Sequence, residues 1–129
     1  MKIAGVVLAA GASRRMGVNK LLLPVAGVPM VRRTVERVVA AGCEPVVVVT
    51  GHQAPQVRAA VLDVALEASA PLVQVVRFAE SPDPTGPTSA SLHAGLAAVP
   101  DDADAVLVML ADMVHVTLPM LRALFESAQ

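Results

Sequence analysis

Four consecutive valines and a threonine, Val46-Val47-Val48-Val49-Thr50, constrain this chain more than any other segment. With no polar face, a strand built from them has to be covered on both sides. Sheets buried on both faces are characteristically parallel, with helices as the connections between strands. An earlier uncharged run, residues 3–10, fits the same description. Between the two runs, Pro29 stands where a helix can begin, and Met30, Val31, Thr34, Val35, Val38 and Val39 recur at helical spacing. Arg32, Arg33, Glu36 and Arg37 fall largely on the other face, and Gly42 supplies the stop. The first 50 residues therefore predict a strand–helix–strand unit.

The alternation continues downstream. Gly51-His52 makes a turn, and residues 53–66 predict a second helix. Residues 72–78 predict a third strand, reached through the linker Ala68-Ser69-Ala70-Pro71. Residues 80–87 hold three prolines and one glycine and form a loop. A helix over about 89–99, a turn at 100–104, a strand at Ala105–Leu110 and a last helix from 117 or 118 to 125 complete the pattern. The 129 residues contain no internal repeat and suffice for one domain with a sizeable core. The expected fold is α/β: a three-layer α/β/α sandwich around a mostly parallel, Rossmann-like sheet, with residues 1–129 as a single domain.

Composition removes several classes of function. Two Phe and no Trp or Tyr leave no stacking platform for single-stranded nucleic acid, and a net charge of −1 argues against a general polyanion binder. Cys43 is the lone cysteine, which excludes a disulfide framework and a thiolate metal cluster; a small buried hydrophobe is its expected role. No run reaches the roughly 18 apolar residues a membrane span needs. Met1-Lys2 and the short apolar run after it fall short of a signal peptide, so the expected setting is the cytoplasm, with no membrane and no nucleic-acid partner.

In parallel α/β sheets, ligands gather at the carboxyl ends of the strands, where the strand order reverses. The segments that follow strands here are residues 8–20, Gly51-His52, residues 80–91 and Asp112, so all four should line one rim. The first is the richest. Leu8, Ala9, Ala10, Gly11, Ala12 and Ser13 present little bulk, which lets backbone N–H groups approach a ligand closely. Arg14, Arg15 and Lys20 bring three cations within seven positions. A strand end, a small-residue loop and clustered positive charge suit phosphates. Neither G-x-x-x-x-G-K-[ST] nor G-x-G-x-x-G is present, which counts against P-loop and dinucleotide-binding chemistry.

Residues 8–20 read LAAGASRRMGVNK, which resembles without mismatch the signature L-A-A-G-x-S-x-R-M-G-x-x-K of nucleotidyltransferases with a MobA-like, GT-A-type fold. Within that family, Ala10-Gly11 and the K-L-L-L-P form that starts at Lys20 are most similar to molybdenum cofactor cytidylyltransferases. Residues 86–96, GPTSASLHAGL, look like a base-bordering segment G-x-x-x-S-S-L-x-x-G-L, with Ser91 matching its serine and Ala90 departing from it. The resemblance implies a fold of the nucleotide-diphospho-sugar transferase type. It also implies transfer of a nucleoside monophosphate, CMP from CTP, to a phosphorylated small-molecule acceptor such as molybdopterin, with release of pyrophosphate. A sugar phosphate or methylerythritol phosphate acceptor is the alternative within the family, and a nucleotide-binding module without turnover is the alternative outside enzymes.

On this resemblance Arg15 and Lys20 are the catalytic cations. Leu8, Ala9, Ala10, Gly11, Ser13, Arg15, Lys20, Gly51, Asp83 and Ser91 bind the nucleotide. Asp112 holds Mg²⁺ in a context, Asp112-Met113-Val114, that lacks the family's usual proline. His52 and His115 are weaker candidates near the same loops. Asp101, Asp102 and Asp104 lack calcium-loop spacing and read as a turn. The resemblance further implies that residues 1–129 are a single nucleotide-binding domain, the N-terminal two-thirds of a nucleotidyltransferase fold. The rest would complete the sheet and supply another acidic ligand, and an unpaired strand edge would invite a homodimer.

Overall fold

A computed structural model describes residues 1–10, 14, 15, 18–51, 53–62, 70–83, 88–113 and 115–128. The chain begins with strand β1, Ile3–Ala9, followed by two short antiparallel pairs. The first is β2 (Arg14–Arg15) with β3 (Val18–Asn19), and the second is β4 (Pro24–Val25) with β5 (Val28–Pro29). Between them Lys20–Leu22 forms a 3-10 turn, capped by the buried Asn19 side chain, which accepts from Leu21 N at 3.0 Å. Helix α1 (Met30–Ala40) starts just after Pro29, and Gly42 takes the positive φ of +100° that ends it. Strand β6 is Val46–Thr50, as its run of valines predicts, and helix α2 is Ala54–Val61. The later part of the predicted second helix lies outside the described residues.

The predicted third strand needs correction. Residues 70–75 form a short helix, α3 (Ala70–Val75), and the strand β7 is Val76–Glu80. Its partner sets the limit: β6 offers five residues, and the parallel register runs from Val46↔Val76 to Thr50↔Glu80. Apolar residues at 72–75 thus had no strand to pair with, and Leu72 is buried from a helix instead. Helix α4 (Thr88–Ala97), strand β8 (Ala105–Leu110) and helix α5 (Leu118–Ala128) follow close to their predicted places.

The four main strands form one parallel sheet in the order β7-β6-β1-β8. Alternation along the strands divides the core into two layers. Val7, Ala9, Val46 and Val48 pack against Val31, Val35 and Val38 of α1, Val57 and Val61 of α2, and Leu121 of α5. Val6, Ala10, Val47 and Val49 face the other way, against Ala94 of α4. Helices on both faces make the expected three-layer α/β/α sandwich.

Gly95 lets α4 lie close to the sheet. A Cβ at this position would stand 2.6 Å from Val6 Cγ1 and 2.9 Å from Val49 Cγ2. Helix α4 lies over β1, β6 and β7, so that among the described residues β8 has one face open. Val106, Val108 and Leu110 on that face are 37%, 42% and 40% exposed. No helix among the described residues is long and apolar enough to cross a membrane.

Candidate active site at the carboxyl rim

The chain builds outward from β1 to β6 and β7, then crosses back to place β8 on the other side of β1. The reversal of strand order falls between β1 and β8, and a crevice opens at the carboxyl ends of strands at such a point. Registers Leu8↔Leu110 and Ala9↔Thr50 bring the strand ends level. Ala111 N donates to Leu8 O at 3.0 Å, so the segment carrying Asp112 is bonded directly to the start of the phosphate-type loop. Ser81 N donates to Thr50 O at 2.7 Å and draws the loop after β7 to the same edge. The starts of the four strand-following segments, at Leu8, Gly51, Glu80 and Ala111, share one rim, as predicted.

The candidate residues take up different positions on it. Leu8 is half-buried, while Ala9 and Ala10 are buried in the two core layers. Gly11, Ser13 and His52 lie outside the described residues, and Arg15 is described only by its backbone in β2. Lys20 is half-buried at the start of the 3-10 turn, whose neighbour Leu21 anchors it in the core against α1 and α2. Gly51 is half-buried directly after β6, and Asp83 is exposed on the loop after β7. Ser91 is buried, and its hydroxyl donates to Ser81 Oγ at 3.1 Å, joining α4 to that loop. His115 is exposed just past Asp112.

Asp112 is half-buried in the turn beyond β8. No hydrogen bond or ion pair to its carboxylate is present among the described residues, so it remains available to a ligand. Nor do the described residues gather three or more His, Cys, Asp or Glu side chains able to cage a metal. A single carboxylate fits a magnesium-like ion that completes its shell with phosphate oxygens and water. It does not fit a cage built from protein alone.

Several residues outside the candidate set also shape the rim. The Thr34 hydroxyl, fully buried on α1, donates to Ala111 O at 2.8 Å. Arg37 Nη1 donates to Val116 O at 3.3 Å. Arg33 donates from Nε to Val25 O at 2.6 Å and from Nη2 to Ala26 O at 3.2 Å, holding the β4–β5 turn where Ala26 sits at φ +53°. Arg32 is itself buried. Two arginines on the polar face of α1, Arg33 and Arg37, therefore tie down loops. A sequence signal existed for Thr34, because a hydroxyl inside an apolar stripe has to find an acceptor.

Gln53 opens α2 at φ +55°, and its Oε1 is buried with no hydrogen-bond partner among the described residues. The acidic turn before β8 lies at the opposite, amino edge of the sheet. There Lys2 Nζ pairs with Asp102, and Lys2 N donates to Asp104 at 2.6 Å, a structural tie rather than a calcium loop. Cys43 is buried and free, and burial pushes its thiol up to about 11, which suits the packing role expected of it.

An open parallel sheet, with the end of β1 and Asp112 on either side of its switch point, is the α/β arrangement in which a ligand can sit at the carboxyl rim. The chain belongs to the MobA-like NTP transferase family, whose domain matches residues 5–129. A probable molybdenum cofactor guanylyltransferase of Synechococcus elongatus is 32% identical over 123 residues, which are 95% of this chain and 57% of that protein. The bifunctional protein GlmU of Anaeromyxobacter dehalogenans is 47% identical over 98 residues, covering 74% of this chain and 18% of that one. Among solved structures, the Methanothermobacter nucleotidyl transferase Mth528 superposes with a TM-score of 0.78 at 34% identity, covering 97% of this chain and 57% of that chain. Rv0371c of Mycobacterium tuberculosis gives 0.79 at 30% identity, covering 98% and 60%, and it is also known as a manganese complex. The chain thus spans well under two thirds of each of these relatives.

Proposed function

We propose that this domain transfers a nucleoside monophosphate, CMP from CTP by preference, to a phosphorylated small-molecule acceptor of the molybdopterin type. The observation that carries the reading is the closeness of the end of β1, where residues 8–20 begin, to the segment that carries Asp112 at the β1–β8 switch point, tied by the Ala111–Leu8 hydrogen bond. An oxygen of the acceptor phosphate attacks the α-phosphorus in line. The bond from that phosphorus to the bridging oxygen breaks, and pyrophosphate leaves with the electron pair.

Such a step depends on positioning and charge neutralisation and needs no covalent protein intermediate. Arg15 and Lys20 hold the triphosphate and steady the departing pyrophosphate. Leu8, Ala9, Ala10, Gly11 and Ser13 present the loop backbone, while Gly51, Asp83 and Ser91 border the base. Asp112 would hold Mg²⁺, which when bound supplies positive charge to the phosphates. The manganese complex of Rv0371c supports a divalent-ion requirement. The setting we infer is the cytoplasm. A second copy paired along the open edge of β8 is the inferred assembly.

The Synechococcus relative's description as a guanylyltransferase makes GTP the rival donor. The test is pyrophosphate release from CTP, GTP, UTP and ATP with Mg²⁺ or Mn²⁺, using molybdopterin-type and sugar-phosphate acceptors, alongside calorimetric nucleotide binding. CTP should bind best, and Lys20→Ala should weaken that binding by about tenfold or more through loss of a charge-assisted contact. Nucleotide binding without turnover on any acceptor would replace the enzyme reading with a binding module. Equal binding by wild type and Lys20→Ala would overturn the assignment of the loop.

A further inference from the structure

We infer that Thr34 and Arg37, one helical turn apart on α1, are positioning residues that fix both ends of the segment carrying Asp112. The inference rests on the proposed metal-holding role of that carboxylate. The Thr34 hydroxyl also stands 3.4 Å from Met30 O in the preceding turn, but it has a single proton and Ala111 O at 2.8 Å is the closer acceptor. The Ala111 carbonyl belongs to the peptide unit that leads directly into Asp112. On its other side, Ala111 N is held by Leu8 O at 3.0 Å. Both peptide units flanking Ala111 are therefore fixed, one to β1 and one to α1.

Arg37 grips the far end of the segment through Val116 O. Between the two grips, Met113 N bonds to Leu110 O at 3.1 Å and Val116 N to Met113 O at 3.4 Å, while the Met113 and Val116 side chains rest on the core. The backbone around Asp112 is thus held by five hydrogen bonds, whereas no hydrogen bond or ion pair to its carboxylate is present among the described residues. An ion held by one carboxylate and by substrate oxygens gains little rigidity from other protein ligands. Its position then depends on how firmly that carboxylate's backbone is held. Packing alone does not account for Thr34, because valine would fill the same apolar stripe without desolvating a hydroxyl.

The decisive comparison is Thr34→Val against Thr34→Ser in the full chain, with two readouts. The first is amide hydrogen exchange across residues 111–116 without nucleotide. The second is the Mn²⁺ concentration that half-saturates uptake in the presence of CTP. Thr34→Val should speed exchange at Ala111 and Met113, the two hydrogen-bonded amides that flank Asp112, by about fivefold. It should also raise the Mn²⁺ requirement by about threefold to tenfold, with metal-free CTP affinity unchanged. Thr34→Ser should restore both readouts.

Unchanged exchange in Thr34→Val, or equal impairment in Thr34→Ser, would overturn the positioning role. Should Thr34→Val fail to fold, Arg37→Gln tests the other grip, with faster exchange expected at Val116. Unchanged exchange there would overturn the proposal as well. A failure of the underlying reading shows separately. Wild-type protein that takes up no Mn²⁺ with any nucleoside triphosphate would remove the metal role of Asp112, and the positioning proposal with it.

Discussion

Cys43 shows how a single buried group ties stability to pH. The folded protein holds the thiol proton up to about 11 because burial penalises the thiolate, whereas an unfolded chain releases it near the ordinary value of about 8.5. The folded state therefore binds the proton more tightly, and this contribution is intact below pH 8.5 and lost as pH climbs towards 11. Through that window the slope approaches 1.4 kcal/mol per pH unit. Urea denaturation at pH 8 to 11 should show the wild type losing stability more steeply than Cys43→Ala, and parallel curves would refute the effect. Native protein should also resist thiol reagents at pH 8, since both exposure and thiolate are lacking.

At the scale of elements, the contact between α4 and the sheet is set by Gly95. Alanine there would drive its Cβ into Val6 and Val49, and neither branched side chain can swing away within a packed layer. Overpacking of this kind costs about 1–3 kcal/mol, offset by up to about 1 kcal/mol of better helix propensity. A lowered urea midpoint for Gly95→Ala is expected, and a midpoint at or above wild type would show that α4 shifts freely.

How far each element could be read from sequence follows from where its determinants lie. Val46–Thr50 and Ala105–Leu110 carry theirs in their own residues and were legible in full. β7 was displaced because its length is dictated by β6, a partner distant in sequence. The rim was legible as a set of strand ends, since parallel crossovers bring those ends to one side whatever the loops contain. The grips of α1 were not, because periodicity assigns a residue to a face without revealing which loop crosses that face. Periodicity places Arg33 and Arg37 on the face opposite the apolar stripe but does not show that they hold Val25, Ala26 and Val116.

For the whole molecule, β8 is an edge strand of the sheet among the described residues, and the proposed pairing along it would govern behaviour in solution. Strand edges are ordinarily protected by charge, proline or a bulge, but Ala105–Leu110 carries no charged residue or proline and shows apolar side chains on its uncovered face. Two copies paired antiparallel about Val108 would bring Val106 against Leu110 and Asp104 against Asp112. Apolar contact would then favour the pairing and like charges at its ends would oppose it, so association should strengthen as salt screens them. Sedimentation should report self-association that rises with protein concentration and ionic strength, and Val108→Lys should hold the chain monomeric. Wild type that stays monomeric across both series would rule this pairing out.

The switch point also sets an order of assembly. β1 and β6 can pair once a loop of some forty residues closes, but β1 and β8 join positions as far apart as Lys2 and Asp104, separated by 102 residues. Long closures come late in folding because their entropy is lost before their contacts are gained. The crevice between Leu8 and Asp112 is thus among the last features to exist on a growing or refolding chain. Capacity to grip a nucleotide should lag behind helix content, and a ligand bound there would act as a clasp across the slowest seam in the molecule.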